Sequence, residues 1–144
     1  YQMRLKEFYS LGKKDKQLVL EKVTSFLEAR QEIIFAYVFG SFLDSYPLTF
    51  RDIDIGVYLK KKVSLIDYQV KLSRELSEKV GLPVDVRLLN EAPERFVAKV
   101  LSQGKIIFNQ DETEHSDVME RVSLYASKEE HIANQSFKEL FNKK

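Results

Sequence analysis

The feature that most constrains the fold is residues 33–59, in which two hydrophobic segments flank a Gly-Ser pair and a loop. Residues 33–39 are apolar, rich in β-branched and aromatic side chains, and run directly into Gly40-Ser41. An apolar run that ends at a turn signal predicts a buried strand. Residues 52–59 alternate between polar or small and aliphatic side chains, which predicts a second strand with one buried face.

The polar face of this second strand carries two carboxylates. Asp52 and Asp54 lie two positions apart, so both side chains point to the same side of the strand. Aspartate is depleted in strands, and like charges this close repel each other. A cation would relieve that repulsion, because residues i and i+2 of a strand, roughly 6–7 Å apart at Cα, can both reach one Mg²⁺. Alternatively, both are strand-end charges that pair with Arg51 or Lys60.

Gly40-Ser41 predicts the other half of a nucleotide site. Glycine lets the backbone approach a phosphate closely, the N–H groups that follow favour anions, and Ser41 adds a hydroxyl donor. A phosphate-binding turn beside a metal-binding strand would bind a nucleoside triphosphate with Mg²⁺. The alternative is an ordinary turn that caps a helix.

Hydrophobic periodicity and capping signals predict the remaining elements. They are helices over residues 4–30, 64–80 and 93–103, a loop over 42–51, strands over 83–90 and 105–108, and a long amphipathic helix or helix pair over about 113–141. This order predicts an α/β (α+β) protein, in which helices cover a small mixed β-sheet and a helical tail follows.

The strand predicted at residues 83–90 carries a third aspartate, Asp85. If that strand lies beside residues 52–59, three carboxylates meet at one rim of the sheet. Such a rim suits metal-assisted nucleotidyl transfer, in which the metal neutralises phosphate charge. Asp85 would then be a metal ligand, a general base or both. The alternative is a surface ion pair between Asp85 and Arg87, worth about 0–1 kcal/mol.

Composition excludes several other classes of protein. The net charge of +1 over 144 residues argues against an extended nucleic-acid-binding surface. The chain has no cysteine, so it has neither a disulfide framework nor a thiolate metal site. No apolar run is long enough to span a membrane. We expect a single domain over residues 1–144, a cytoplasmic location and no membrane partner.

The spacing of these motifs resembles a known family. Gly40-Ser41, then ten residues, then Asp-Ile-Asp, followed by an aspartate in residues 84–90 (VDVRLLN), is similar to the minimal nucleotidyltransferase family of the DNA polymerase β superfamily. Over roughly residues 15–110 the chain most closely resembles the antitoxin members that pair with HEPN ribonuclease toxins. The resemblance implies a polymerase-β-like nucleotidyltransferase fold, with a helical C-terminal extension over about 113–144.

The resemblance also implies roles for particular residues. Gly40 and Ser41 would hold the triphosphate, and Asp52, Asp54 and Asp85 would hold the metal ions and carry the chemistry.

The loop after Ser41 departs from the family pattern. Many members carry Ala-Arg-Gly shortly after Gly-Ser, whereas this chain has Leu-Asp-Ser at residues 43–45. A basic contact to the phosphates is then either missing or supplied by Arg51 or Arg87.

In this family the enzyme transfers AMP from ATP-Mg²⁺ to a tyrosine of the partner toxin and silences its RNase activity. The resemblance therefore implies a Mg²⁺-dependent protein adenylyltransferase with ATP and a HEPN toxin as partners, in a homo- or hetero-oligomer. The alternative is a non-catalytic antitoxin that neutralises the toxin by complex formation alone. Transfer to RNA or to an aminoglycoside-like acceptor is a third, weaker hypothesis, and we expect no direct nucleic-acid partner.

Overall fold

The structure is a computed structural model, and it describes residues 8–43, 49–60, 65–125 and 128. The strands are β1 (Tyr9–Ser10), β2 (Ile33–Phe39), β3 (Thr49–Phe50), β4 (Ile53–Leu59), β5 (Val84–Leu88) and β6 (Lys105–Asn109). The helices are α1 (Lys13–Glu28), α2 (Leu65–Val80) and α3 (Glu94–Gln103), with a short 3-10 turn at Ser41–Leu43. Residues 112–125 are also helical and are called α4 here.

Four of the strands form a mixed sheet in the order β5-β4-β2-β6. Strand β2 is antiparallel to both of its neighbours, β4 and β6. Strands β4 and β5 are parallel, as expected when a helix, here α2, crosses over between two strands. β1 and β3 form a separate antiparallel pair. The small mixed sheet with covering helices confirms the predicted fold class.

Two hydrophobic clusters pack on opposite faces of this sheet. Helices α1 and α2 contribute Leu20, Val23, Leu27, Leu72 and Leu76 to the first cluster. Helices α3 and α4 contribute Val97, Val100, Val118 and Val122 to the second. Strand β2 supplies side chains to both clusters, because its successive residues point to opposite faces. That double coverage is why β2 is apolar at every position, whereas β4 alternates.

Strand β5 lies at an edge of the sheet, and polar side chains of α2 cover that edge. Ser77 Oγ accepts a hydrogen bond from the Val84 N–H at 2.9 Å, and Ser73 Oγ accepts one from the Val86 N–H at 2.9 Å. Gln69 Oε1 accepts from the N–H of the last residue of β5 at 3.1 Å. These α2 residues are spaced four apart, so they lie on one face of the helix. The outward N–H groups of β5 are therefore satisfied within the chain.

The predicted N-terminal helix begins too early. Strand β1 precedes it, and Gly12, with an extended backbone of φ −67° and ψ 164°, is the residue before α1. The helix ends at Glu28 instead of residue 30. A strand of two residues is too short to show an alternating pattern, so the sequence predicts one helix that includes the residues of β1. Residues 4–7 lie outside the described part of the chain.

Other boundaries differ by a few residues. The strand predicted at 52–59 begins at Ile53, the one predicted at 83–90 is shorter at both ends, and the one predicted at 105–108 continues to Asn109. The predicted loop 42–51 contains the end of the 3-10 turn and β3, and its residues 44–48 lie outside the described part of the chain. The helical tail is confirmed over residues 112–125, and the part beyond 128 lies outside the described residues. None of the described helices is long and apolar enough to cross a membrane.

Candidate functional site

Strand pairing brings three carboxylates to one rim of the sheet. Asp54 and Asp85 are register partners in the parallel β4–β5 pair, and Asp52 lies in the bend just before β4. One oxygen of each carboxylate lies within 4.8 Å of the corresponding oxygens of the other two. All three side chains are partly exposed. The convergence expected from the sequence is present, and we call this group the acidic triad.

The acidic triad is electrostatically unfavourable without a cation. Burial raises the pKa of Asp54 from 3.8 to about 6, and the charges of Asp52 and Asp85 act in the same direction. The Arg87 guanidinium acts in the opposite direction but does not offset the increase. A bound cation would remove both the repulsion and part of the desolvation cost.

The donors of the acidic triad fit a hard divalent cation. Carboxylate oxygens are the ligands that Mg²⁺ prefers, and three of them converge here from different positions in the sheet. Among the residues that the structure describes, no other group of three histidine, cysteine, aspartate or glutamate side chains lies this close together.

Gly40 makes room for Asp54. Strand β2 ends at Phe39, which is the register partner of Asp54, so the next residue passes directly over that carboxylate. Gly40 has φ +80°, a left-handed conformation that other residues rarely adopt. A Cβ atom at this position would also overlap Asp54 Oδ2. Glycine is therefore required here both for its backbone conformation and for the close approach.

Ser41 opens the 3-10 turn at the mouth of a cavity. The turn is closed by the Leu43 N–H, which donates to the Gly40 carbonyl at 3.1 Å. The cavity has a volume of about 520 Å³ and lies between the end of β2 and helix α3. We call it the site cavity. It is lined on one side by Gly40, Ser41 and Asp54 and on the other by Phe96, Lys99 and Gln103, with Phe39, Leu43 and Val100 completing its walls.

The two arginines predicted from sequence do not line the site cavity. The Arg51 guanidinium lies 4.6 Å from the centre of the Phe8 ring. Arg87 Nε donates to Asp85 Oδ2 at 3.2 Å, in an exposed ion pair. The structure thus brings the glycine, the serine and one aspartate of the triad together in the cavity, and it gives each arginine another partner.

Helix α3 provides wall residues that the sequence analysis missed. The Phe96 ring lies 5.6 Å from that of Phe39 in an edge-to-face arrangement. Lys99 and Gln103 are one helical turn apart on the exposed face of α3, where the sequence indicates an ordinary solvated surface. Their spacing was the available signal, but only the docking of α3 shows that this face borders the cavity.

Comparison with protein-family models gives a match over residues 21–113 to the family described as polymerase beta, nucleotidyltransferase. No curated protein matches the chain. The matched region contains the Gly-Ser turn, the acidic triad and helix α3.

Several solved structures with the same fold are of toxin–antitoxin complexes. One is the complex of the tri-AMPylated Shewanella oneidensis HEPN toxin with MNT antitoxin. A chain of that complex is 21% identical to the present protein, with a TM-score of 0.62, and the match covers 85% of the present protein and 98% of the chain in the complex. A toxin–antitoxin structure with AMP-PNP is 22% identical, with a TM-score of 0.62 and coverage of 82% and 98%. The toxin–antitoxin complex MntA-HepT gives 21% identity, a TM-score of 0.61 and coverage of 84% and 98%. These likenesses confirm the expected fold.

Proposed function

Because the chain belongs to the polymerase β nucleotidyltransferase family, we propose that it transfers AMP from ATP, with Mg²⁺, to a tyrosine of a HEPN ribonuclease toxin and thereby neutralises the toxin. The observation that carries the proposal is the acidic triad beside the turn at Gly40-Ser41. A metal-binding rim and an anion-binding turn that meet at Asp54, which lines the cavity, are what transfer from a nucleoside triphosphate requires.

Asp52, Asp54 and Asp85 would hold Mg²⁺, which when bound neutralises phosphate charge and helps align the reacting groups. The backbone N–H groups that follow Gly40 and the Ser41 hydroxyl would bind phosphate oxygens.

In the transfer, the acceptor hydroxyl oxygen forms a bond to the α-phosphorus, the bond from that phosphorus to the bridging oxygen breaks, and pyrophosphate leaves. Asp85 would accept the proton of the acceptor hydroxyl, and its location on β5, the edge strand of the rim, supports that role.

The nature of the acceptor is supported by the structures that share the fold. One holds a tri-AMPylated HEPN toxin together with an MNT antitoxin, and another holds AMP-PNP. These likenesses support an adenine nucleotide as donor and a protein side chain as acceptor. Under this proposal the protein works in the cytoplasm, in a hetero-oligomer with its toxin.

Arg51 and Arg87 remain predicted phosphate ligands under this proposal. Each would have to exchange its present partner, the Phe8 ring or Asp85, for a phosphate oxygen. Release of Arg87 from an exposed pair would cost little, about 0–1 kcal/mol.

The test is transfer of label from ATP. With Mg²⁺ and the cognate HEPN toxin, the wild-type protein should label the toxin, and Asp52→Asn combined with Asp54→Asn should abolish the labelling. Asp117→Asn combined with Glu120→Gln is a matched control, because it neutralises two exposed carboxylates on α4 and should label like wild type. Persistent labelling by the Asp52/Asp54 variant would reject the assigned metal site.

A non-catalytic antitoxin is the second candidate function. It is favoured by the fact that no arginine lines the site cavity among the described residues. If the Asp52/Asp54 variant neutralises the toxin as well as wild type does, complex formation is sufficient and this second function is correct. Loss of neutralisation together with loss of labelling supports the enzyme.

A further inference from the structure

We infer that Lys99 supplies a cation that binds the triphosphate of ATP in the site cavity, an assignment that rests on the proposed transfer from ATP. Lys99 lies on helix α3, which faces the Gly40-Ser41 turn across the cavity. Among the described residues that line the cavity, it is the only basic one.

The position of Lys99 opposite the turn matches the shape of a phosphate site. The turn offers backbone N–H groups and a hydroxyl from one wall, and α3 offers the Lys99 ammonium and the Gln103 amide from the other. A cavity of about 520 Å³ is in the usual range for a small-molecule ligand. A phosphate chain lying between the two walls would receive hydrogen-bond donors from both sides.

Lys99 is also available to bind a ligand. No carboxylate within residues 8–43, 49–60, 65–125 and 128 forms an ion pair with its ammonium group. On the same helix, Glu94 is paired with Arg121 at 3.1 Å, and across the rim Arg87 is paired with Asp85. The flexible four-carbon stem of an exposed lysine can reach into the cavity at little cost.

The local charge balance calls for a cation at this place. The acidic triad supplies three carboxylates beside the position where the triphosphate, itself a polyanion, would lie. Metal ions offset part of this negative charge, but phosphate oxygens that face away from the rim need another partner. Lysine is an established point-charge ligand for phosphates. Residues 43–45, just after the Gly-Ser turn, are Leu-Asp-Ser and include no basic side chain. The cation therefore comes from the opposite wall of the cavity.

The experiment compares ligands that differ only in their phosphates. Lys99→Met keeps an unbranched, helix-compatible side chain and removes the charge. With Mg²⁺ present, the Lys99→Met variant should bind ATP about ten-fold or more weakly by calorimetry, as expected for loss of a charge-assisted hydrogen bond. Its affinity for adenosine should equal that of wild type. Lys99→Arg should recover most of the ATP affinity.

Lys22→Met serves as the matched control, because Lys22 is an exposed helical lysine on α1 and does not line the site cavity. It should bind both ligands like wild type. The inference is overturned if the Lys99→Met variant binds ATP as wild type does. It is also overturned if the affinities for ATP and for adenosine fall equally, since an equal loss indicates that Lys99 has a packing role. It is also overturned if Arg51→Met or Arg87→Met weakens ATP binding and Lys99→Met does not.

The two proposals fail in distinguishable ways. If the wild-type protein binds ATP but never labels its toxin, adenylyl transfer is wrong, and the binding comparison still decides the role of Lys99. If the wild-type protein does not bind ATP with Mg²⁺, both proposals are wrong.

Discussion

The two faces of the central sheet differ in what their buried side chains do. On the face covered by α1 and α2, every buried member of the cluster is aliphatic or phenylalanine. On the opposite face, covered by α3 and α4, the cluster includes Tyr37, whose hydroxyl is 2.7 Å from His115 Nε2. Burial, together with the charge of Glu112, raises the pKa of Tyr37. The buried side chains of the first face therefore contribute packing alone, whereas those of the second combine packing with a polar contact.

Helix α3 shows how one element serves both purposes. Its Val97 is buried against the sheet, Lys99 and Gln103 line the site cavity, and the buried Val100 does both. Residues three or four apart share a helix face, so the packed and the cavity-lining residues of one amphipathic helix lie next to each other. The difference between the faces therefore predicts which substitutions remove activity and which remove stability.

The largest effect is expected at the rim. Asp54→Asn should lower adenylyl transfer by about 10³-fold or more, because a metal ligand stabilises transition-state charge by several kcal/mol. The free energy of unfolding without metal should stay the same or increase, since Asp54 is repelled by its neighbours. Initial rates of labelling and urea denaturation measure the two quantities. A large loss of stability would show that the rim also supports the fold.

The next largest effect lies on the α1–α2 face. Leu76 is fully buried, and Leu76→Ala should lower the free energy of unfolding by about 3 kcal/mol, through lost burial and the cavity left behind. ATP affinity, measured well below the unfolding temperature, should be unchanged. Weaker ATP binding in the folded variant would contradict the separation of the two faces.

A substitution with a smaller expected effect tests whether the face covered by α1 and α2 also supports the site. Ser73→Ala leaves the Val86 N–H without its partner, which should cost about 1–2 kcal/mol of stability. Because Val86 follows Asp85 directly, we also expect a few-fold slower transfer. Ser25→Ala, at an exposed position on α1, should change neither quantity. Unchanged transfer in Ser73→Ala would show that β5 stays in place without this hydrogen bond.

The smallest effect is a pH dependence that comes from Asp54. Its pKa of about 6 in the folded protein exceeds the unfolded value near 3.8, so the folded state holds the proton more tightly. Without metal, this group stabilises the fold at low pH, and that contribution is lost as the pH rises from about 4 through 6. The difference in unfolding free energy between wild type and Asp54→Asn should follow this change. A difference independent of pH would contradict the raised pKa.

Much of the site could be predicted because it depends on local patterns. The alternation in residues 52–59 placed Asp52 and Asp54 on one face, and the Gly-Ser pair marked the end of β2. The position of Asp85 needed one further step, because it meets Asp54 only if the two strands are parallel neighbours. A helix between two strands favours that pairing but does not fix the register.

The rest of the site depends on tertiary contacts that periodicity does not contain. Lys99 is indistinguishable from a solvated helical lysine until α3 is docked above the Gly-Ser turn. The stacking of Arg51 on Phe8 joins residues far apart in the chain, so no local pattern indicated it. Strand β1 was missed because its partner β3 is distant in the sequence, with α1 and β2 between them.

The row of α2 side chains along β5 has a consequence for assembly. An incoming extended peptide could extend the sheet at β5 only by displacing Gln69, Ser73 and Ser77 from the backbone amides that they occupy. Self-association by strand addition, the usual hazard of an open edge, is therefore disfavoured at this margin. A toxin molecule that approaches the rim from this side would have to be recognised by side-chain complementarity instead of main-chain pairing.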